Sequence, residues 1–156
     1  MNGFRINKLD ANFESRGKII KVGFYLELIR TVFQAVDGQG KLRNRVVAFT
    51  SPTPGAPVEM GPVHVRGFAW SGSASIARVE VAFAGGGEWL PARLTGADEP
   101  HAWRAWELIW TPGWRGRHVL RCRATDLDGN VQPDRPRWNA LGYGANGVQS
   151  LIVEVR

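Results

Sequence analysis

Residues 117–146 read RHVLRCRATDLDGNVQPDRPRWNALGYGAN, and this stretch decides the architecture. From Arg117 the chain alternates. His118, Leu120, Cys122 and Ala124 fall on one face, and Val119, Arg121, Arg123 and Thr125 on the other. A period of two with one apolar side marks a strand with one buried and one wet face. His118 on the apolar face is expected to be a hydrogen-bonded core residue. Cys122 beside it is expected to be a buried small hydrophobe, not a reactive thiol. Asp128-Gly129 then turns the chain, because glycine tolerates the positive φ of a tight reversal. Gln132-Pro133 begins a proline-interrupted loop, and Val148 to Val155 is a last strand.

Working outward, the same pattern recurs. Arg45 to Thr50 is a short strand, closed by a turn at Ser51-Pro52-Thr53-Pro54-Gly55, whose prolines cannot donate to a ladder. Val63, Val65, Gly67 and Ala69 alternate with His64, Arg66, Phe68 and Trp70. Ile76 to Ala84 carries Val79, Val81 and Phe83 on one side, and Gly85-Gly86-Gly87 turns it. Trp89 to Leu94 follows, with Pro91 pointing to a sheet edge. Trp106, Leu108 and Trp110 alternate with Glu107 and Ile109. With the Arg117 strand and the last one, about seven strands result. Short strands at this spacing predict an all-β, immunoglobulin-like two-sheet sandwich of the E-set kind.

Two compositions meet near residue 45. All four lysines precede it, and all nine prolines and seven tryptophans follow it. The boundary is expected at Asp37-Gly38-Gln39-Gly40 and the basic run after it, giving residues 1–44 as an extension and 45–156 as the domain. In the extension, Val22, Leu26, Ile29, Phe33 and Val36 fit a helical stripe. Ile19 to Leu28 also fits a buried strand; helix is the preferred reading. An adventitious extension is preferred over a membrane-surface or partner helix.

The formal charge of +6 suggests nucleic acid, but its distribution argues against it. Residues 1–44 hold eight Lys+Arg against four acids, and residues 45–156 hold twelve against ten. The arginines of the domain alternate with apolar residues, as on a solvated strand face, and form no basic run. No stretch reaches the ~20 apolar residues of a membrane span. No secretory signal is read at the N-terminus, which predicts a cytoplasmic chain as it stands.

Motifs for chemistry are sparse. Asp126-x-Asp128-x-Asn130 begins like a calcium loop, but Val131 and Arg137 stand where the loop needs Gly and a bidentate Glu. Gly85-Gly86-Gly87 lacks the Lys-Ser/Thr and helix of a phosphate cradle. His64, His101 and His118 have no partner at metal-ligand spacing. No catalytic, cofactor-binding or metal residue is therefore assigned. Trp103, Trp106, Trp110 and Trp114 crowd into twelve residues. Trp106 and Trp110 share a strand face and are expected in the core. Trp103 and Trp114 flank that strand and are candidates for facing a partner or stacking on sugar.

Several segments together resemble a known module. They are Thr50-Ser51-Pro52, Val65 to Gly72 (VRGFAWSG), Ile76 to Val81 (IARVEV) and Gly85-Gly86…Trp89…Ala92…Leu94. Ala102-Trp103…Trp106…Trp110-Thr111-Pro112, Arg123 to Asp126…Gly129-Asn130…Gln132-Pro133 and Trp138-Asn139…Gly142-Tyr143…Asn146 follow in order. Residues 45–156 are similar to the C-terminal dimerisation domain of sulfite oxidase-type molybdenum enzymes.

The resemblance implies an immunoglobulin-like fold that pairs two subunits. It implies a homodimer and, in the parent enzymes, a larger preceding domain that binds molybdopterin and supplies the cysteine on molybdenum. Many bacterial members are periplasmic. Residues 1–44 are too short to be that domain, and Cys122 lies in the wrong module to be that ligand. The expected role is thus a non-catalytic assembly module, alone or completed by a separate molybdopterin-binding subunit. In the second case Arg137, Trp138, Asn139 and Asn146 would face that subunit. A carbohydrate- or protein-binding sandwich acting through Trp103 and Trp114 is the alternative. Two departures stand out. Ala84 replaces the Asp of the family's Asp-Gly-Gly turn. Leu141 replaces the arginine with which animal sulfite oxidases reach an anion pocket, removing a charge-assisted bond to substrate.

Overall fold

A computed structural model of the chain describes residues 45–83, 87–96, 98, 102–136 and 146–156. The N-terminal extension, the Ala84 turn, His101, and Arg137, Trp138, Asn139 and Leu141 all lie outside these residues. Eight strands follow one another: β1 (Arg45–Ser51), β2 (Pro57–Val58), β3 (Val63–Ser71), β4 (Ile76–Phe83), β5 (Trp89–Thr95), β6 (Arg104–Trp110), β7 (Gly116–Asp126) and β8 (Gln149–Val155). The ladder runs β1-β3-β6-β5-β4-β7-β8-β2.

This continuous ladder curls into two layers at β5. Trp89 to Ala92 pair with β4, and Arg93 to Thr95 pair with β6. One layer is then β1-β3-β6-β5 and the other β4-β7-β8, the strand sets of an immunoglobulin-like sandwich. Pro91 falls in the half of β5 that pairs only with β4. Its missing N–H therefore faces a sheet edge, as the sequence suggests. One element escapes the alternation pattern. Pro57-Val58 pairs parallel with Glu154-Val155 of β8, and two residues are too few to show a period.

The core fills the space between the layers. Val65, Val79, Val81, Leu120, Cys122, Ala124 and Val153 are wholly buried, joined by Val47, Trp106 and Leu151. The face of β7 chosen from alternation is the buried face. Trp106 packs edge-on against Phe49, with ring centroids 5.6 Å apart. Gly67 lies between them, opposite Phe49 on β1 and Trp106 on β6. The outer faces carry charge. Glu107 takes Arg93 and Arg66 as partners. The Arg93 hydrogen bond is the main cause holding its carboxyl below the ordinary range. On the other layer Glu80 pairs with Arg123 at 2.9 Å and Arg78 at 3.5 Å. Arg123 also lies over the Trp89 ring, 4.1 Å from its centroid.

Antiparallel pairing gives the sandwich two unlike ends. Arg45, Ser71, Thr95, Arg104, Asp126 and Gln149 mark the end where the chain comes in, called proximal below. Ser51, Val63, Phe83, Trp110, Gly116 and Val155 mark the distal end.

Candidate functional site

The proximal end is organised by Asp126, the last residue of β7. Its side chain is fully buried. It accepts from Arg45 Nε at 2.7 Å, from Ser71 Oγ at 3.3 Å and from the Asn130 amide at 2.9 Å. Asn130 Nδ2 adds contacts at 3.0 and 3.2 Å. Burial, the largest influence, pushes its pKa up. The hydrogen bonds from Arg45 and Asn130 outweigh it together and hold the carboxyl below its ordinary value. The Asp126-x-Asp128-x-Asn130 segment is thus a hairpin turn. Gly129 takes φ +79° and donates to the Asp126 carbonyl at 3.0 Å.

Gln132 continues the same end. It is buried, and its Oε1 accepts from the Ala124 amide at 3.2 Å while Nε2 donates to the Gly147 carbonyl at 2.9 Å. One side chain so ties β7 to the segment that leads into β8. Gln132→Ala is expected to cost about 1–3 kcal/mol, the range for stranding buried backbone groups. Urea denaturation measures this, and faster hydrogen exchange at the Ala124 amide would locate it.

The titratable groups available for chemistry are enclosed. Cys122 is fully buried, and desolvation pushes its thiol well up. A thiol held protonated is neither nucleophile nor metal ligand. His118 is buried, and its Nε2 lies 2.8 Å from the Trp114 carbonyl oxygen. Among the described residues no group of three or more His, Cys, Asp or Glu is placed to hold a metal ion. None of their helices is long and apolar enough to cross a membrane.

The two exposed tryptophans lie apart. Trp103 is at the proximal end, 40% exposed, tilted against Trp70 at 6.3 Å. Trp114 is at the distal end, 54% exposed, stacked on His118 at 4.4 Å. The seven residues of β6 separate them, about 24 Å at strand rise, so they form no joint sugar platform. Trp106 and Trp110 are core, as their shared face predicts. Asn146 is half-buried at the proximal end, near Gly147. Sequence reading left other exposed apolar residues unremarked. Ile109 and Met60 lie at the distal end, and Leu127 and Val131 at the proximal end. For Ile109 the signal was present, since it alternates with the core residues Leu108 and Trp110 and shares Glu107's outer face.

A sandwich whose reactive groups are enclosed, with rigid aromatics exposed at its two ends, has the form of an assembly domain. The comparisons agree. The family model described as the Mo-co oxidoreductase dimerisation domain matches residues 42–154, and the chain belongs to that family. Mouse mitochondrial sulfite oxidase is 38% identical over 116 residues, covering 69% of this chain and 21% of that protein. Chicken sulfite oxidase is 43% identical over 103 residues, covering 61% and 22%. The crystal structure of the sulfane dehydrogenase SoxCD from Paracoccus pantotrophus superposes with a TM-score of 0.62 at 32% identity, covering 75% of this chain and 33% of that one. The chain therefore spans about a fifth of the length of these curated relatives.

Proposed function

We propose that residues 45–156 are the self-association module of a sulfite oxidase-type molybdenum oxidoreductase and carry no catalytic step. Membership of the dimerisation-domain family is the observation that carries this reading. The chemistry of the donor set supports it. The one thiol, Cys122, is enclosed between the sheets, so these residues offer molybdenum no thiolate. No step through a molybdopterin is assigned to this chain. In this reading the cofactor lies in another domain or subunit, which meets the proximal end. Trp103 and Asn146 lie at that end, where the chain enters β1. Arg137, Trp138 and Asn139 belong to the 137–145 segment between β7 and β8, and in this proposal they face the same neighbour.

Sedimentation equilibrium on the full chain tests the reading. A dimer with a dissociation constant in the micromolar range or tighter is expected. A strict monomer at high concentration would sink it. Affinity purification with metal analysis tests the cofactor-bearing neighbour. A retained molybdenum-containing protein supports that part, and a pull-down free of molybdenum removes it.

A further inference from the structure

We infer that the distal end is the pairing surface and that its occupant is a second copy of this chain. This rests on the self-association proposed above and goes on to say where it happens. Three observations carry it.

The first is apolar exposure. Ile109 is 61% exposed, Trp114 54% and Met60 41%, all at the distal end. Large apolar side chains left in water at one end of a sandwich mark a contact surface when they cluster.

The second is preorganisation. Phe83 stacks on Trp110 at 5.1 Å, Trp110 meets the His118 edge at 5.1 Å, and His118 stacks under Trp114 at 4.4 Å. His118 also reaches the Trp114 carbonyl oxygen. An aromatic column thus runs from the core to the surface and holds Trp114 from behind. A rigid tryptophan loses little freedom on contact, which is what an interface anchor needs.

The third is charge. Arg66 and Arg93 pair with Glu107, Arg78 and Arg123 with Glu80, and Arg121 with Asp134. The distal end differs. Glu59, Glu154, Arg115 and Arg117 take part in no ion pair among the described residues. Arg117 and Glu154 even stand opposite each other across β7 and β8 without pairing. Glu59 and Arg115 are exposed beside them. Two positive and two negative charges around apolar anchors make a patch complementary to itself, as a twofold contact requires. A basic or acidic partner would find only half of it matched.

The test compares the dimer dissociation constants of the full chain, Ile109→Glu, Trp114→Ala and the Arg115→Glu/Arg117→Glu double variant. Val131→Glu, 43% exposed at the proximal end, is the control. The distal variants are expected to weaken pairing about tenfold or more, with the control unchanged. Ile109 faces solvent, so its variant keeps the fold, and thermal melting verifies that for each protein. Rising salt is expected to weaken the wild-type dimer, because the charges are exposed. A dimer that Ile109→Glu and the double variant leave unchanged, or that only Val131→Glu disrupts, overturns the distal surface while self-association stands. A wild-type chain that never dimerises overturns both.

Discussion

Asp126→Ala is expected to lower the unfolding free energy by about 3–5 kcal/mol, the cost of leaving a buried charge without its partner. The partner is Arg45, whose side chain is 11% exposed and donates at 2.7 Å. Truncation also strands Ser71 Oγ and the Asn130 amide, both of which point at the missing carboxylate. Because the contact joins residues 81 apart, its loss unties β1 from β7, the first strand from the layer opposite. The pH dependence has a definite sign. The folded carboxyl titrates below its ordinary value, so its contribution is fully present above about pH 4, the unfolded value. It is lost as pH falls through the folded pKa. Urea midpoints taken from neutral pH downward should therefore fall in the wild type. Asp126→Asn keeps the shape and removes the charge. It should start lower at neutral pH and show a flatter acid slope. An Asp126→Asn profile parallel to wild type would show that the carboxylate charge contributes nothing.

This network also marks where sequence reading stops. Alternation is a local signal, and it found the inward face of β7, residue by residue from His118 to Ala124. It placed Trp106 and Trp110 in the core for the same reason. It read Asp126, Asp128 and Asn130 as a turn by eliminating calcium. Nothing local could name Arg45 as Asp126's partner, because the contact forms only when the two layers close. Gln132 was seen as a loop residue, but its role needs Ala124 and Gly147, 8 and 15 residues away. The exposed tryptophans were legible as a pair in sequence and not in space. Flanking one strand put them at opposite ends, a consequence of strand rise that composition does not express. The distal surface was half legible. Ile109 stood on the wet face of its strand, while the unpaired state of Arg117 and Glu154 depends on side-chain geometry across β7 and β8.

Gly67→Ala is expected to be as damaging as any loss of charge, about 4 kcal/mol, above the ~1–3 kcal/mol of ordinary overpacking. The backbone at Gly67 is in no special conformation, so the demand is for space. A Cβ there would run into the Ala48 carbonyl oxygen and the six-membered ring of Trp106, with Trp106 Cε2 at 2.6 Å. The indole occupies the volume that a side chain at 67 would need. This is how a tryptophan only 1% exposed fits above a strand and meets Phe49 edge-on. Two neighbours would have to yield, and they differ in kind. The ring can be made smaller by mutation, but the Ala48 carbonyl is part of the β1 backbone, where Ala48 stands opposite Phe68. Gly67→Ala should therefore not be rescued by Trp106→Leu. The double variant is expected to be less stable than Trp106→Leu alone by most of the single Gly67→Ala cost. Thermal melting of the four proteins in this cycle decides it. Full recovery on shortening Trp106 would place the whole conflict at the ring. No recovery would place it at the β1 backbone, and the glycine would then be required by strand approach as well as by the tryptophan.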